Sequence, residues 1–287
     1  MMTYPDPTAD RSYQSESVVT AAAKAPHLKV MCGFSRRFDD SYRDAISRVS
    51  AGAIGTPSIF RSQTCDKWDP SGAFIDYAKF SGGIFVDCSI HDIDLCLWFF
   101  SAASSAQPSE NGLTNGNGMT NGTGGSKKEG VKVKSVQAVG VTAIAPELRQ
   151  YDDVDNAVGV VEFWDERVAY FYCSRMMVAG QEDCTEIIGT GGKVSVNMSP
   201  QRNLVSLHEA GGIRKEIPQD YFQRFENAFV REGAEFVKCC LDGGEVPVPL
   251  KGAVKAVEIG CALQESLRNG GKIEFDEEGT RKVRSRL

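Results

Sequence analysis

Carboxylates and a histidine interrupt SGGIFVDCSIHDIDLCLWFF, residues 81–100, one of the most apolar runs in the chain. On a helix from Val86 to Phe100, Asp87, His91 and Asp94 fall within about 60° of one another, and Trp98 continues their face. The opposite side carries Val86, Ile90, Ile93, Leu97 and Phe100. A histidine tuned by nearby carboxylates suits a general base that removes a hydroxyl proton while hydride leaves the same carbon. A plainer arrangement accounts for the same spacing: Asp87 and Asp94 as helix acids near a positive helix end, with His91 hydrogen-bonded between them. Metal binding is a third option that the spacing does not favour, because the other histidines, His27 and His208, are isolated in sequence. Gly82 and Gly83 before the run allow a sharp backbone turn and leave space at the start of the helix.

The elements that must hold this segment are legible around it. SESVVTAAAKA, residues 15–25, reads as a short helix with Ser15 as a possible cap, and HLKVMCGF after it reads as a buried strand. SRRFDDSYRDAISRVSAGAIGTP predicts a helix from about Asp40, closed by Gly52, Gly55 and Pro57. Residues 101–130, rich in Ser, Gly, Asn and Thr, have too little apolar surface to order themselves and read as a disordered insertion. Short β-type runs follow: VKVKSVQAVGVTAIA, NAVGVVEFW, RVAYFYCSRM, EIIGTGG, KVSVNM, LVSLHE and IRKEI. Helices are predicted over Gln219–Asp242, with Phe222, Phe225, Phe229, Phe236 and Val237 near one stripe, and over Lys251–Asn269. The expected fold class is α+β, a large mainly antiparallel sheet covered on one face by helices.

Composition narrows the function classes. With 287 residues and 41% hydrophobic content the chain can bury a full core. Its formal charge is -6, and no Lys and Arg cluster is dense enough to follow a phosphate backbone, so nucleic acid is not an expected partner. No stretch has the apolar length of a membrane helix, and MMTYPDPTADRSYQSESVV has no signal-peptide regions, so the expected location is cytoplasmic. Nine cysteines stand mostly singly in apolar strings, without CxxC spacing, which favours reduced thiols over disulfides or zinc.

GFSRRFDDSYRDA, AGAIGTP, SGGIFVDCSIHDIDLCLWF, SRMMVAGQEDCTEIIGTGGKVSV and YFQRFENAFVREGAEFV follow one another along the chain. Taken in that order, from about His27 to Phe275, they resemble the Gfo/Idh/MocA oxidoreductases, and among them the inositol 2-dehydrogenase-like branch. The resemblance implies an N-terminal Rossmann domain followed by an α+β domain that supplies the substrate pocket and often the oligomer interface. It implies His91 as acid/base on the reacting hydroxyl, Asp87 beside it, and Arg36 in the substrate pocket. The cofactor implied is NAD or NADP, and the partners are a polyol or sugar-like substrate and a second copy through the sheet face.

Two family features have no counterpart here: a GxGxxG turn between strand and helix, and the Glu-Lys-Pro motif that carries the catalytic lysine. Residues 1–34 therefore resemble the last helix and strand of a nucleotide domain that is otherwise missing, and residues 35–287 the substrate-binding and oligomerising domain. The expected function is the substrate part of an NAD(P)-dependent oxidoreductase acting on a CH–OH group, not self-sufficient, with no cofactor-binding or metal-binding residues assigned. The alternative is a non-catalytic ligand-binding or oligomerisation partner derived from the same family.

Overall fold

The computed structural model describes residues 11–103 and 131–282. Helix α1 (Arg11–Ala23) starts a few residues before the expected segment, and it packs on a C-terminal helix, α7 (Leu250–Asn269). The strand expected over residues 27–34 does not form. Leu28 and Val30 are exposed, and the backbone is fixed mainly where the Cys32 amide donates to the Val248 carbonyl. A strand needs a neighbour's ladder of N–H and C=O groups, and no described strand runs beside this segment.

After a 3₁₀ turn, Ser35–Phe38, helix α2 (Asp40–Ser50) begins where expected. Its N-cap is Asp39, whose carboxylate accepts from the Ser41 and Tyr42 amides. The chain then enters β1 (Pro57–Lys67), followed by α3 (Ala73–Ser81), α4 (Ile84–Asp87) and α5 (Ile90–Ala103). Residues 104–130, nearly all of the proposed disordered insertion, lie outside the described residues, and 101–103 belong to the last turn of α5.

The second half builds β2 (Val133–Val141), β3 (Asn156–Phe163), β4 (Val168–Met177), β5 (Glu182–Gly189) and β6 (Gly192–Val196). A separate hairpin, β7 (Ser206–Glu209) and β8 (Gly212–Lys215), precedes α6 (Tyr221–Asp242), and β9 (Ile273–Glu274) follows α7. Seven strands form one sheet in the order β6-β5-β1-β4-β3-β2-β9. It is antiparallel throughout except for the central pair, β1 beside β4, which runs parallel. The α+β class and the mainly antiparallel sheet thus hold. Sequence periodicity missed β1, because two of its inward residues are the polar Ser62 and Thr64 and only Phe60 marks the buried face.

One face of this sheet is covered by α2, α4, α5 and α7. Phe60 sits 6.1 Å from Phe99, 6.1 Å from Phe100 and 6.3 Å from Phe171 at the centre of the core. Of the two helices expected to cover the sheet, α7 does so. Helix α6 instead lies against the 3₁₀ turn, with Phe225 buried under Arg36 and Phe222 left exposed. The opposite sheet face is open and exposes Ile59, Val139, Val141, Val158, Val160 and Tyr170.

No described helix is long and apolar enough to cross a membrane.

Candidate active site

Residues 86–100 do not form one continuous helix. Helix α4 is a single turn, and the chain is interrupted at Cys88 and Ser89 before α5 resumes. The Ser89 amide reaches back to the Ile84 carbonyl at 3.3 Å, five residues earlier, and the Ser89 hydroxyl meets the Cys173 thiol at 3.0 Å. Asp87 therefore ends α4 while His91 opens α5, and each carboxylate turns to its own arginine. Arg175 Nη2 donates to Asp87 at 2.6 Å, and Arg37 grips Asp94 with Nε at 2.8 Å and Nη2 at 2.6 Å.

Asp87 and His91 nonetheless line the same cavity, of about 480 Å³, together with Arg36, Asp66, Tyr77 and Gln181. Tyr221, Phe225 and Phe229 of α6 form an aromatic wall of it. The size suits a small organic ligand. The structure thus brings all three residues singled out from the sequence, His91, Asp87 and Arg36, to one place.

His91 Nδ1 is buried and has no hydrogen-bond partner among the described residues, so the plainer arrangement, His91 hydrogen-bonded between two aspartates, does not occur through that atom. Burial, then the nearby Arg36 cation, pushes its pKa down to about 3. The tuning is thus opposite to that expected from flanking carboxylates. Both causes favour the neutral form of the imidazole. Burial raises the pKa of Asp87, partly offset by Arg175 and by a hydrogen bond from Tyr77.

Arg36 joins three elements. Nη1 donates to Asp92 at 2.8 Å, and Nη2 donates to Asp183 at 2.6 Å and to the Thr64 hydroxyl at 2.7 Å. Ser62 and Thr64 each donate to Asp92 at 2.6 Å, so the polar inner side of β1 exists to receive that carboxylate. Burial alone would lower the Arg36 pKa, but Asp183 and Asp92 outweigh it and keep the guanidinium charged. Three of its five N–H groups are engaged in this way, which leaves donor capacity beside the cavity.

Sequence reasoning missed Asp92 and Asp66. A visible signal for Asp92 was an acid within an apolar run, next to the histidine. Asp66 had none, since it stands at the end of the unrecognised strand β1.

Residues 46–275 match the oxidoreductase family's C-terminal alpha/beta domain, GFO_IDH_MocA_C. The chain belongs to this family of Gfo/Idh/MocA oxidoreductases. It is 31% identical over 263 residues to the scyllo-inositol 2-dehydrogenase (NAD(+)) of Bacillus subtilis (strain 168), covering 91% of this chain and 67% of that protein. With the myo-inositol 2-dehydrogenase of Thermotoga maritima it shares 25% identity over 254 residues, covering 88% of this chain and 66% of that protein. Among solved structures, the scyllo-inositol dehydrogenase from Lactobacillus casei with bound NAD(H) and scyllo-inositol superposes with a TM-score of 0.77 at 28% identity. That match covers 92% of this chain and 69% of the other. The chain thus spans about two thirds of the length of these Gfo/Idh/MocA relatives.

The Gly189–Gly192 turn does not fit a pyrophosphate. It closes the β5–β6 hairpin and is packed against residues 54–56. The Thr190 and Gly191 amides are already bonded to the Thr56 and Ile54 carbonyls, so they do not point at a ligand.

Proposed function

We propose that the chain is the substrate-binding part of an NAD(P)-dependent oxidoreductase acting on the CH–OH group of a polyol, inositol or sugar-like substrate. The observation that carries this reading is His91 at a cavity also lined by Asp66, Asp87 and Arg36, in a chain of this family. His91 accepts the proton of the reacting hydroxyl when the alcohol is oxidised, and returns it in the reverse direction. Asp87, fixed by Arg175 and Tyr77, accepts from a neighbouring hydroxyl and orients the ring. Arg36 donates to substrate oxygens with the N–H groups that Asp92, Asp183 and Thr64 leave unused. Oxidation also needs a hydride acceptor, and no step through one is assigned to the described residues.

The closed Gly189–Gly192 turn, whose amides do not point at a ligand, favours a second reading, a ligand-binding or oligomerising relative without turnover. Two titrations of the 287-residue chain separate the cases. NADH and NADPH, followed by fluorescence, are expected to show no saturable binding at micromolar concentration; saturable binding would mean that the chain holds the cofactor and would remove the second reading. Binding of scyllo-inositol, followed by ligand-detected NMR, is expected to weaken about tenfold in His91→Ala, the loss of one well-placed hydrogen bond. Unchanged binding in that variant would sink the assignment of His91.

The open sheet face supports self-association in the same proposal. Val139 is 62% exposed and Val158 39% exposed, a larger apolar display than an isolated surface needs. Sedimentation of the double variant Val139→Lys, Val158→Lys is expected to show a smaller species than the unmodified chain. A monomer in both would refute an interface on this face.

A further inference from the structure

Five aspartates lie at or just behind the cavity wall, and four of them have a cation. Asp87 and Asp153 face Arg175 at 2.6 and 3.6 Å, while Asp92 and Asp183 face Arg36 at 2.8 and 2.6 Å. The fifth, Asp66, lines the cavity and has no ion pair among the described residues. Its hydrogen-bond donors are Gln181 Nε2, to Oδ1 at 2.9 Å, and the Cys88 thiol, to Oδ2 at 3.6 Å. Neither brings a positive charge, and Arg175 and Arg36 act on it only from beyond ion-pair distance. Its neighbour Lys67 is exposed and bonded to Gln219. Arg36 and Arg175 stand against these five aspartates, and Arg224, over the Phe225 ring, is paired with Asp39, so acids outnumber cations around the cavity.

A carboxylate held away from water is stabilised by a cation far more than by neutral donors. The aromatic wall adds to this preference. Phe225 already has the Arg36 and Arg224 guanidinium carbons at 5.3 and 4.4 Å from its ring centroid, and Tyr221 and Phe229 line the same space. A ligand bearing a carboxylate or phosphate would meet the opposite field.

We propose that this cavity takes a polyol carrying a protonated amine, an amino-cyclitol or amino-sugar, with Asp66 as the counter-charge of the ammonium. The proposal rests on the polyol reading of the site and adds the residue that sets its specificity. His91 keeps the reacting hydroxyl and Asp87 a neighbouring one, while Asp66, held by Gln181, receives the amine elsewhere on the ring.

The test compares three probes on the 287-residue chain at pH 7 by calorimetry or ligand-detected NMR: scyllo-inositol, its 1-amino-1-deoxy analogue, and the N-acetyl derivative of that amine. The amine is expected to bind at least about tenfold more tightly than scyllo-inositol, and acetylation, which removes the charge, to abolish the gain. In Asp66→Asn the ratio of amine to parent affinity is expected to fall close to one. This variant removes an uncompensated charge and should melt no lower than the unmodified chain; the acetylated probe tests the charge without altering the protein. Equal binding of amine and parent, or a ratio that survives Asp66→Asn, would overturn the proposal and leave the polyol reading standing. Failure of all three probes to bind would overturn both.

Discussion

Arg36→Met is expected to destabilise the chain by about 3–5 kcal/mol, because it leaves two buried carboxylates without their shared cation. Asp92 and Asp183 have fully buried side chains, and Arg36 bridges them. One arginine between two acids already leaves an excess of negative charge, which the Ser62 and Thr64 hydroxyls help to spread. The loss is also structural. Asp92 lies on α5, Thr64 on β1 and Asp183 on β5, so the guanidinium ties the helix that presents His91 to the centre of the sheet. Urea unfolding should show a midpoint far below that of the unmodified chain. Arg36→Lys should recover only part of the difference, since an ammonium lacks the planar fork that reaches both acids. A midpoint near the unmodified value for Arg36→Met would mean that the acids protonate at little cost and that the bridge contributes little.

Gly83→Ala is expected to have a comparably large effect through sterics rather than charge. Gly83 has a φ of 97°, a conformation that L side chains rarely adopt, and a Cβ there would lie 2.1 Å from the side-chain carbon of Gln264. Gln264 cannot retreat cheaply. Its Oε1 accepts from the Phe85 amide at 3.2 Å and its Nε2 donates to Asp153 at 3.2 Å, and Asp153 in turn accepts from the Ile84 amide at 2.9 Å. The strain and the overpacking each cost on the order of 1–3 kcal/mol, before the loss of Gln264's bonds is counted. Thermal melting should therefore shift down by many degrees. Gln264→Ala in the Gly83→Ala background should restore little, since it removes the clash but strands the Phe85 amide. Full recovery in the double variant would show that sterics alone matter and that the Gln264 hydrogen bonds are dispensable.

Much of this architecture was readable in the order of residues. Helices α2, α6 and α7 announced themselves by period and punctuation, with Asp39 before one and Gly243 and Gly270 after the others. Strands β2 to β8 were marked by β-branched and aromatic runs between turn residues. Where the inward face of an element is polar, the pattern failed. β1 carries Ser62 and Thr64 inward and so did not look like a central strand. Asp66 was lost with β1, although it lines the same cavity as His91.

By itself the sequence determined that a histidine and neighbouring acids lie in an apolar segment, that an α+β sheet domain surrounds it, and that the chain resembles one oxidoreductase family. These follow from local periodicity and from motifs in register, both properties of residues close together in the chain. Only the tertiary structure decided which acid serves which cation. Asp87 went to Arg175, 88 residues away, Asp94 to Arg37, 57 residues away, and His91 Nδ1 was left without a hydrogen-bond partner among the described residues. Helical spacing states which side chains share a face, but the stronger competitor for a carboxylate is a guanidinium brought in from another element by the fold, where low solvent exposure strengthens charge pairing.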